Sequence, residues 1–207
     1  MLKIQQTFEN TIVIQKSIFI TKLFRVNSTN EVEEVLEAVR KKYWDATHNC
    51  YAYIIGDNAE IQKCSDDGEP SKTAGAPMMD ALKKNNMTNI LAVVTRYFGG
   101  TLLGAGGLVR AYSSSVSECL KKATKYTTKM QTRFQLTTSY SGYNTILKAM
   151  PYINIESTSF TADVIIIGSC DVDKFESLKE DLYKYKINAE ALNKLTDVGV
   201  EVVYEEE

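Results

Sequence analysis

An unbroken apolar run, Ile90 to Val94, passes through Thr95-Arg96-Tyr97-Phe98 into a stretch that holds five glycines: Gly99, Gly100, Gly104, Gly106 and Gly107. A run without polar interruption reads as a strand buried on both faces, and Arg96 at its end is an expensive residue to set beside a core. Leu108, Tyr112, Val116, Cys119 and Leu120 then recur at helical spacing, so the pattern is strand, glycine turn, helix, with the helix expected to open near Gly107.

Such a turn can receive an anion. Glycine lets the backbone approach a ligand closely, and the first turn of a helix presents unpaired N–H groups at its positive dipole end. Arg96 at the strand end and Arg110 in the first helical turn can each hold a phosphate bidentately. A plainer reading stands beside this one, in which the glycines serve only to turn the chain tightly. Known phosphate motifs do not fit: Gly99 and Gly104 frame a GxxxxG, but Ala105 stands where a P-loop needs lysine, and GxGxxG is absent.

A chain of 207 residues suits one large or two small domains, and we expect two. No apolar run approaches the roughly 18 to 20 residues a membrane span needs, and Met1 to Asn10 lacks an apolar signal core, so no membrane partner is expected and the cytoplasm is. Cys50, Cys64, Cys119 and Cys170 are widely spaced without a CxxC pair, which argues against zinc or disulfide frameworks. The net charge of −2 conceals an asymmetry: residues 1–130 carry 17 basic against 13 acidic side chains, and residues 131–207 carry 7 against 13. A polyanionic partner should therefore meet the first part.

Thr11 to Ile14 and Ser17 to Val26 read as opening strands, and Asn30 with Glu33 as the capping box of a helix through Val32, Leu36 and Val39. The only histidine, His48, precedes a strand over Cys50 to Ile55; a Cys50–His48 thiol site lacks a third orienting group. A polar loop from Cys64 to Gly75 crowds Asp66, Asp67 and Glu69, which could hold Mg²⁺, pair with Arg96 or Arg110, or be a solvated turn. Pro77 opens a helix that ends at Asn85-Asn86. Ser113 to Ser115 are expected at the surface, and Lys121 to Thr132 as an extended stretch joining two domains. From Arg133 the pattern reads βαββαβ, with Asp173 and Glu176 capping the second helix and Val200 to Tyr204 as the last strand; that order is the ferredoxin-like split unit.

His48-Asn49-Cys50-Tyr51-Ala52-Tyr53, Ser65-Asp66-Asp67-Gly68-Glu69-Pro70-Ser71, Thr73-Ala74-Gly75, Thr95 to Gly100 and Leu103 to Tyr112 together resemble the YigZ/IMPACT family. The resemblance implies an α+β chain: residues 1–130 as a domain of the ribosomal protein S5 domain 2-like fold, and residues 131–207 as a ferredoxin-like domain similar to the last domain of elongation factor G. It also implies translational regulation, the role of the family's eukaryotic branch. One departure is Lys72, where the family usually has glycine.

The expectation is a non-catalytic, translation-associated regulator that binds RNA, the ribosome or a translation-regulatory protein and needs no cofactor. Its anion site would comprise Arg96, Gly99, Gly100, Gly104, Gly106, Gly107, Arg110 and Lys72, with His48, Asp66, Asp67, Glu69 and Ser71 as the supporting polar loop. The alternative is an enzyme acting on a phosphorylated small molecule, with Mg²⁺ held by Asp66, Asp67 and Glu69. One histidine and a loop of acids are thin support for a metallopeptidase. A third reading, a protein-docking surface alone, would show an apolar patch around Tyr97, Phe98, Leu102 and Leu103.

Overall fold

Strand β6 (Ile90–Tyr97) is the middle strand of a five-stranded sheet, and its side chains divide between two cores. Ile90, Ala92 and Val94 face one, Leu91 and Val93 the other, and all five are fully buried or nearly so. Each such side chain contributes about 1.5–3 kcal/mol relative to exposure. The computed structural model describes residues 1–202, with side chains through Leu195. Among the described residues it is mixed α/β, with two five-stranded sheets and five α-helices, in two compact units, 1–127 and 128–202.

In the first unit the sheet runs β2 (Phe8–Ile14), β3 (Ser17–Arg25), β6, β4 (His48–Ile55), β5 (Ile61–Ser65), antiparallel throughout. Helix α1 (Thr29–Lys42) covers one face: Val32, Leu36 and Val39 pack on Tyr53, Ile55, Leu91 and Val93. Helices α2 (Gly75–Lys84) and α3 (Gly104–Lys122) cover the other, where Met78, Leu82, Tyr112 and Val116 meet Phe19, Leu23, Cys50 and Ile54. A short first strand, β1 (Leu2–Ile4), pairs with the opening residues of β7 (Lys125–Thr138).

Several local expectations are corrected. Helix α1 is capped two residues earlier than Asn30: Ser28 Oγ accepts from the Glu31 N–H at 3.2 Å, and the Glu31 carboxylate accepts from the Asn27 N–H at 2.9 Å. The sequence contains both S-x-x-E and N-x-x-E, two residues apart, and either satisfies the capping pattern. Cys64 and Ser65 close β5, an edge strand whose solvent-facing residues leave no apolar alternation to read. Lys121 and Lys122 end α3, and the expected linker is mostly the 14-residue strand β7, with Tyr126, Thr132, Phe134, Leu136 and Thr138 buried.

The second unit runs β7, α4 (Tyr140–Ala149), β8 (Asn154–Phe160), β9 (Val164–Asp171), α5 (Phe175–Lys184), β10 (Leu192–Val202), with β7 lying between β9 and β10. Its core gathers Phe134, Leu136, Ile146, Val164, Ile166, Phe175, Leu178 and Leu182. Asp173 does not cap α5; it lies in a single 3₁₀ turn, and the helix starts from Lys174 without a side-chain cap. The expected last strand, Val200 to Tyr204, matches the end of β10 as far as Val202, and the rest lies outside the described residues.

After β6 the chain turns through Phe98–Leu103 and enters α3 at Gly104, not near Gly107. Gly99 has a packing duty, because a Cβ there would overlap the Lys16–Ser17 backbone. Gly106 has none: its added Cβ would meet only Arg110 Nη1, at 3.6 Å. In urea unfolding Gly99→Ala is expected to lose about 2 kcal/mol, whereas Gly106→Ala gains about 0.5 kcal/mol from helix propensity. Equal effects would refute this division.

Candidate functional site

The end of β6 meets the start of β4 and the start of β3, with Arg96 opposite His48 on one side and Phe19 on the other. Over this junction folds the loop from Asp66 to Ala74. Asp66 organises it: its carboxylate accepts from the Lys72, Ala74 and Gly75 N–H groups at 2.8, 3.0 and 2.8 Å. A carboxylate placed there serves the open N-terminus of α2, which has no cap of its own. Burial pushes the Asp66 carboxyl up, but the three N–H groups outweigh it and hold the group below the usual carboxylate range. Asp67 accepts from the Asn49 N–H at 2.6 Å, and its carbonyl oxygen lies 2.8 Å from His48 Nδ1. A carbonyl only accepts, so Nδ1 carries the imidazole hydrogen and Nε2 of the neutral ring is an acceptor.

This fold of the loop delivers Glu69 into the interior. Its Oε1 accepts from Arg96 Nη1 at 2.6 Å and from the Tyr112 hydroxyl at 2.8 Å, with the side chains of Glu69 and Arg96 only 3% and 6% exposed. Arg96 Nη2 reaches Ser17 Oγ at 3.3 Å, and the guanidinium lies 5.4 and 5.6 Å from the Phe19 and Phe98 rings. Arg96 Nε has no hydrogen-bond partner among the described residues. Phe19 and Tyr112 meet edge-on at 5.3 Å, which fixes the phenol over the strand ends. Cys50 Sγ donates to the Asp66 carbonyl at 2.9 Å, and burial pushes the thiol up to about 12. That is the reverse of an activated nucleophile.

The glycine turn lies beside this network. Ser17 Oγ accepts from the Gly99 N–H at 3.2 Å and Thr47 Oγ1 from the Phe98 N–H at 3.0 Å, pinning the turn to neighbouring strand ends. Gly100 and Gly104 have φ of +80° and +68°, with open space where a Cβ would project. Gly104, Ala105 and Gly106 are exposed, α3 has no side-chain cap, and Arg110 is exposed. Between the turn and the loop is a cavity of about 360 Å³ lined by Thr47, His48, Glu69, Arg96 and, on its apolar side, Phe98, Leu102, Leu103 and Leu108.

The sequence-predicted residues therefore separate into two groups. Arg96, Glu69, Asp66, Asp67 and His48 are tied to one another or to backbone, whereas Gly100, Gly104, Gly106 and Arg110 face outward, with Gly99 and Gly107 half-buried. Arg96 is not an open phosphate clamp, because Glu69 already neutralises it. The three acids do not converge as Mg²⁺ ligands; each is drawn to a different donor, and no group of three metal-ligating side chains forms among the described residues. Ser71 and Lys72 are exposed, Ser115 is buried against the Ala111 carbonyl, and Phe98 and Leu102 stand 46% and 86% exposed. Ser17, Thr47 and Tyr112 were not among the expected site residues; Tyr112 reads from sequence as one more apolar position of the helix stripe.

Residues 15–120 match the family model described as the Impact N-terminal domain. An IMPACT family member from Haemophilus influenzae is 32% identical over 190 residues, covering 90% of this chain and 92% of that one. The chain belongs to the IMPACT family. YvyE of Bacillus subtilis is 56% identical over 117 residues, covering 56% of this chain, and YigZ of Escherichia coli is 40% identical over 129 residues, covering 61%. Those matches span 54% and 63% of the two relatives' own lengths. A crystal structure described as a hypothetical protein aligns over 100% of this chain and 98% of its own, at 30% identity and a TM-score of 0.59.

Lys72 has φ of +63°, a left-handed conformation that glycine adopts without strain. The loop keeps a glycine-like backbone under a lysine. Lys72→Gly is expected to raise stability by about 0.5–1 kcal/mol in urea unfolding. A loss of stability would mean that the lysine side chain itself holds the loop.

Proposed function

We propose that this IMPACT family member is a non-catalytic, translation-associated regulator in the cytoplasm, which docks on RNA through the first turn of α3. The carrying observation is the exposed, uncapped N-terminus of a 19-residue helix, with Gly104, Ala105 and Gly106 open and Arg110 exposed beside them. Aligned peptide dipoles place roughly half a positive charge at such an end, and Arg110 adds a full one. Glycines at 104 and 106 keep the backbone low enough for a phosphate to approach the N–H groups.

Arg96 acts in this reading from behind. Its ion pair with Glu69 and its bond to Ser17 hold the strand end from which the turn departs, and the same Ser17 hydroxyl accepts from Gly99. A phosphate-transferring enzyme is less well supported, since its Mg²⁺ ligands are engaged elsewhere and the Cys50 thiol is buried and proton-bound. The order βαββαβ and the sheet order β10-β7-β9-β8 in the second unit support a ferredoxin-like domain, and with it the proposed pairing with an S5 domain 2-like first domain. Membrane association has no support from helices: none among the described residues is long and apolar enough to cross a bilayer.

Fluorescence anisotropy with a labelled single-stranded RNA across a salt series tests the proposal. Arg110→Ala is expected to weaken binding about fivefold across sequences and to flatten the log–log salt slope by about 0.7, the share of one single-strand phosphate. Absence of RNA and ribosome association at low salt, or an unchanged slope in Arg110→Ala, would overturn it.

A further inference from the structure

The cavity beside the glycine turn has a polar end and an apolar wall; the polar end holds Glu69, His48 and the Arg96 guanidinium, whose Nη1 and Nη2 are bound to Glu69 and Ser17 and whose Nε has no partner among the described residues. Glu69 Oε1 is saturated by Arg96 and Tyr112, whereas Oε2 receives no hydrogen bond from the described residues. The nearest group to Oε2 is His48 Nε2 at 3.8 Å. Because His48 Nδ1 donates to the Asp67 carbonyl, Nε2 of the neutral ring is a second acceptor. Two acceptors therefore face each other across a gap too long for a hydrogen bond, and the Thr47 hydroxyl lines the same cavity. The Glu69 side chain is only 3% exposed, and with Oε1 taken by Arg96 and Tyr112, Oε2 is the oxygen left for a partner in the cavity.

We propose that this cavity binds a primary ammonium group carried on a small apolar body. The ammonium would donate to Glu69 Oε2 and His48 Nε2, on the side of the carboxylate away from the oxygen that Arg96 holds. Phe98, Leu102, Leu103 and Leu108 would cover the apolar body, and a volume of about 360 Å³ readily admits a branched aliphatic group. Phe98 and Leu102, 46% and 86% exposed, would then gain a covering that the empty turn does not provide. Such an ammonium could belong to a free amine or to the N-terminus of a peptide chain. Gly104 and Ala105 border the cavity as well as the proposed RNA site, but Arg110 does not line it, so the amine titration and the Arg110→Ala RNA titration fail separately.

Isothermal titration of the full chain with 3-methylbutylamine and with 3-methylbutan-1-ol compares two head groups on one body. The amine is expected to bind one-to-one, and the alcohol at least about tenfold more weakly for want of a charge-assisted bond. Glu69→Gln is expected to weaken the amine about tenfold. Ala105→Trp changes an exposed rim position outside the buried network and is expected to abolish amine binding with the melting temperature unchanged. Leucinamide and leucyl-glycyl-glycine distinguish the sources: a tripeptide that binds as tightly as the amide supports a chain terminus as occupant, and an excluded tripeptide supports a free amine. Equal binding of amine and alcohol, full amine affinity in Ala105→Trp, or no saturable amine binding would overturn the proposal.

Discussion

A buried ion pair between the central strand and a polar loop, Arg96 with Glu69, holds this end of the first unit together. Taking both charges out of water costs several kcal/mol per ion before their attraction is counted, so the pair is tolerated only because the surroundings complete it. Tyr112 donates to the same carboxylate oxygen, Ser17 accepts from the guanidinium, and Phe19 packs against both the guanidinium and the phenol. In this way one interaction ties β3, β6, α3 and the 66–74 loop to a common point. The loop is fixed a second time from its other end, where Asp66 gathers three backbone N–H groups and begins α2.

The consequence for function is a division of labour between charges turned inward and backbone turned outward. An arginine at the end of a buried strand, with glycines after it, invites assignment to a ligand; here the arginine sets the position of the turn, and the turn presents the N–H groups. The acids behave alike. Three carboxylates in four residues suggest a metal site, yet each has a separate donor inside the protein. Left uncommitted at this site among the described residues are the first turn of α3, Arg110, the Arg96 Nε and one carboxylate oxygen opposite an imidazole nitrogen.

Much of the scaffold was legible in the sequence because burial on two faces leaves a strong signal. Ile90 to Val94 could be assigned as a doubly covered strand without knowing its neighbours, and the stripe from Leu108 to Leu120 could be assigned to a helix from spacing alone. Ser115 departs from that reading: expected at the surface, it lies with Ala111 beside the buried stripe, where its hydroxyl donates to the Ala111 carbonyl. Edge elements were harder. β5 faces solvent, and the start of β7 is rich in lysine and threonine, so neither carries the apolar alternation that identifies a strand. The site was legible in membership but not in pairing: composition placed Arg96, Glu69 and His48 among the interesting residues, whereas only the closed loop decides which carboxylate meets the guanidinium and which nitrogen of His48 accepts. The left-handed backbone at Lys72 leaves no trace in a lysine side chain.

A double-mutant cycle on the central pair tests the account most directly. Glu69→Gln and Arg96→Met each leave one buried charge without its partner and are predicted to cost about 3 kcal/mol in urea unfolding, while the double variant removes both charges and is predicted to be more stable than either single one. Costs that add within about 0.5 kcal/mol would show that the two residues act independently, and the pair could not then be what holds the loop, the turn and the helix in register.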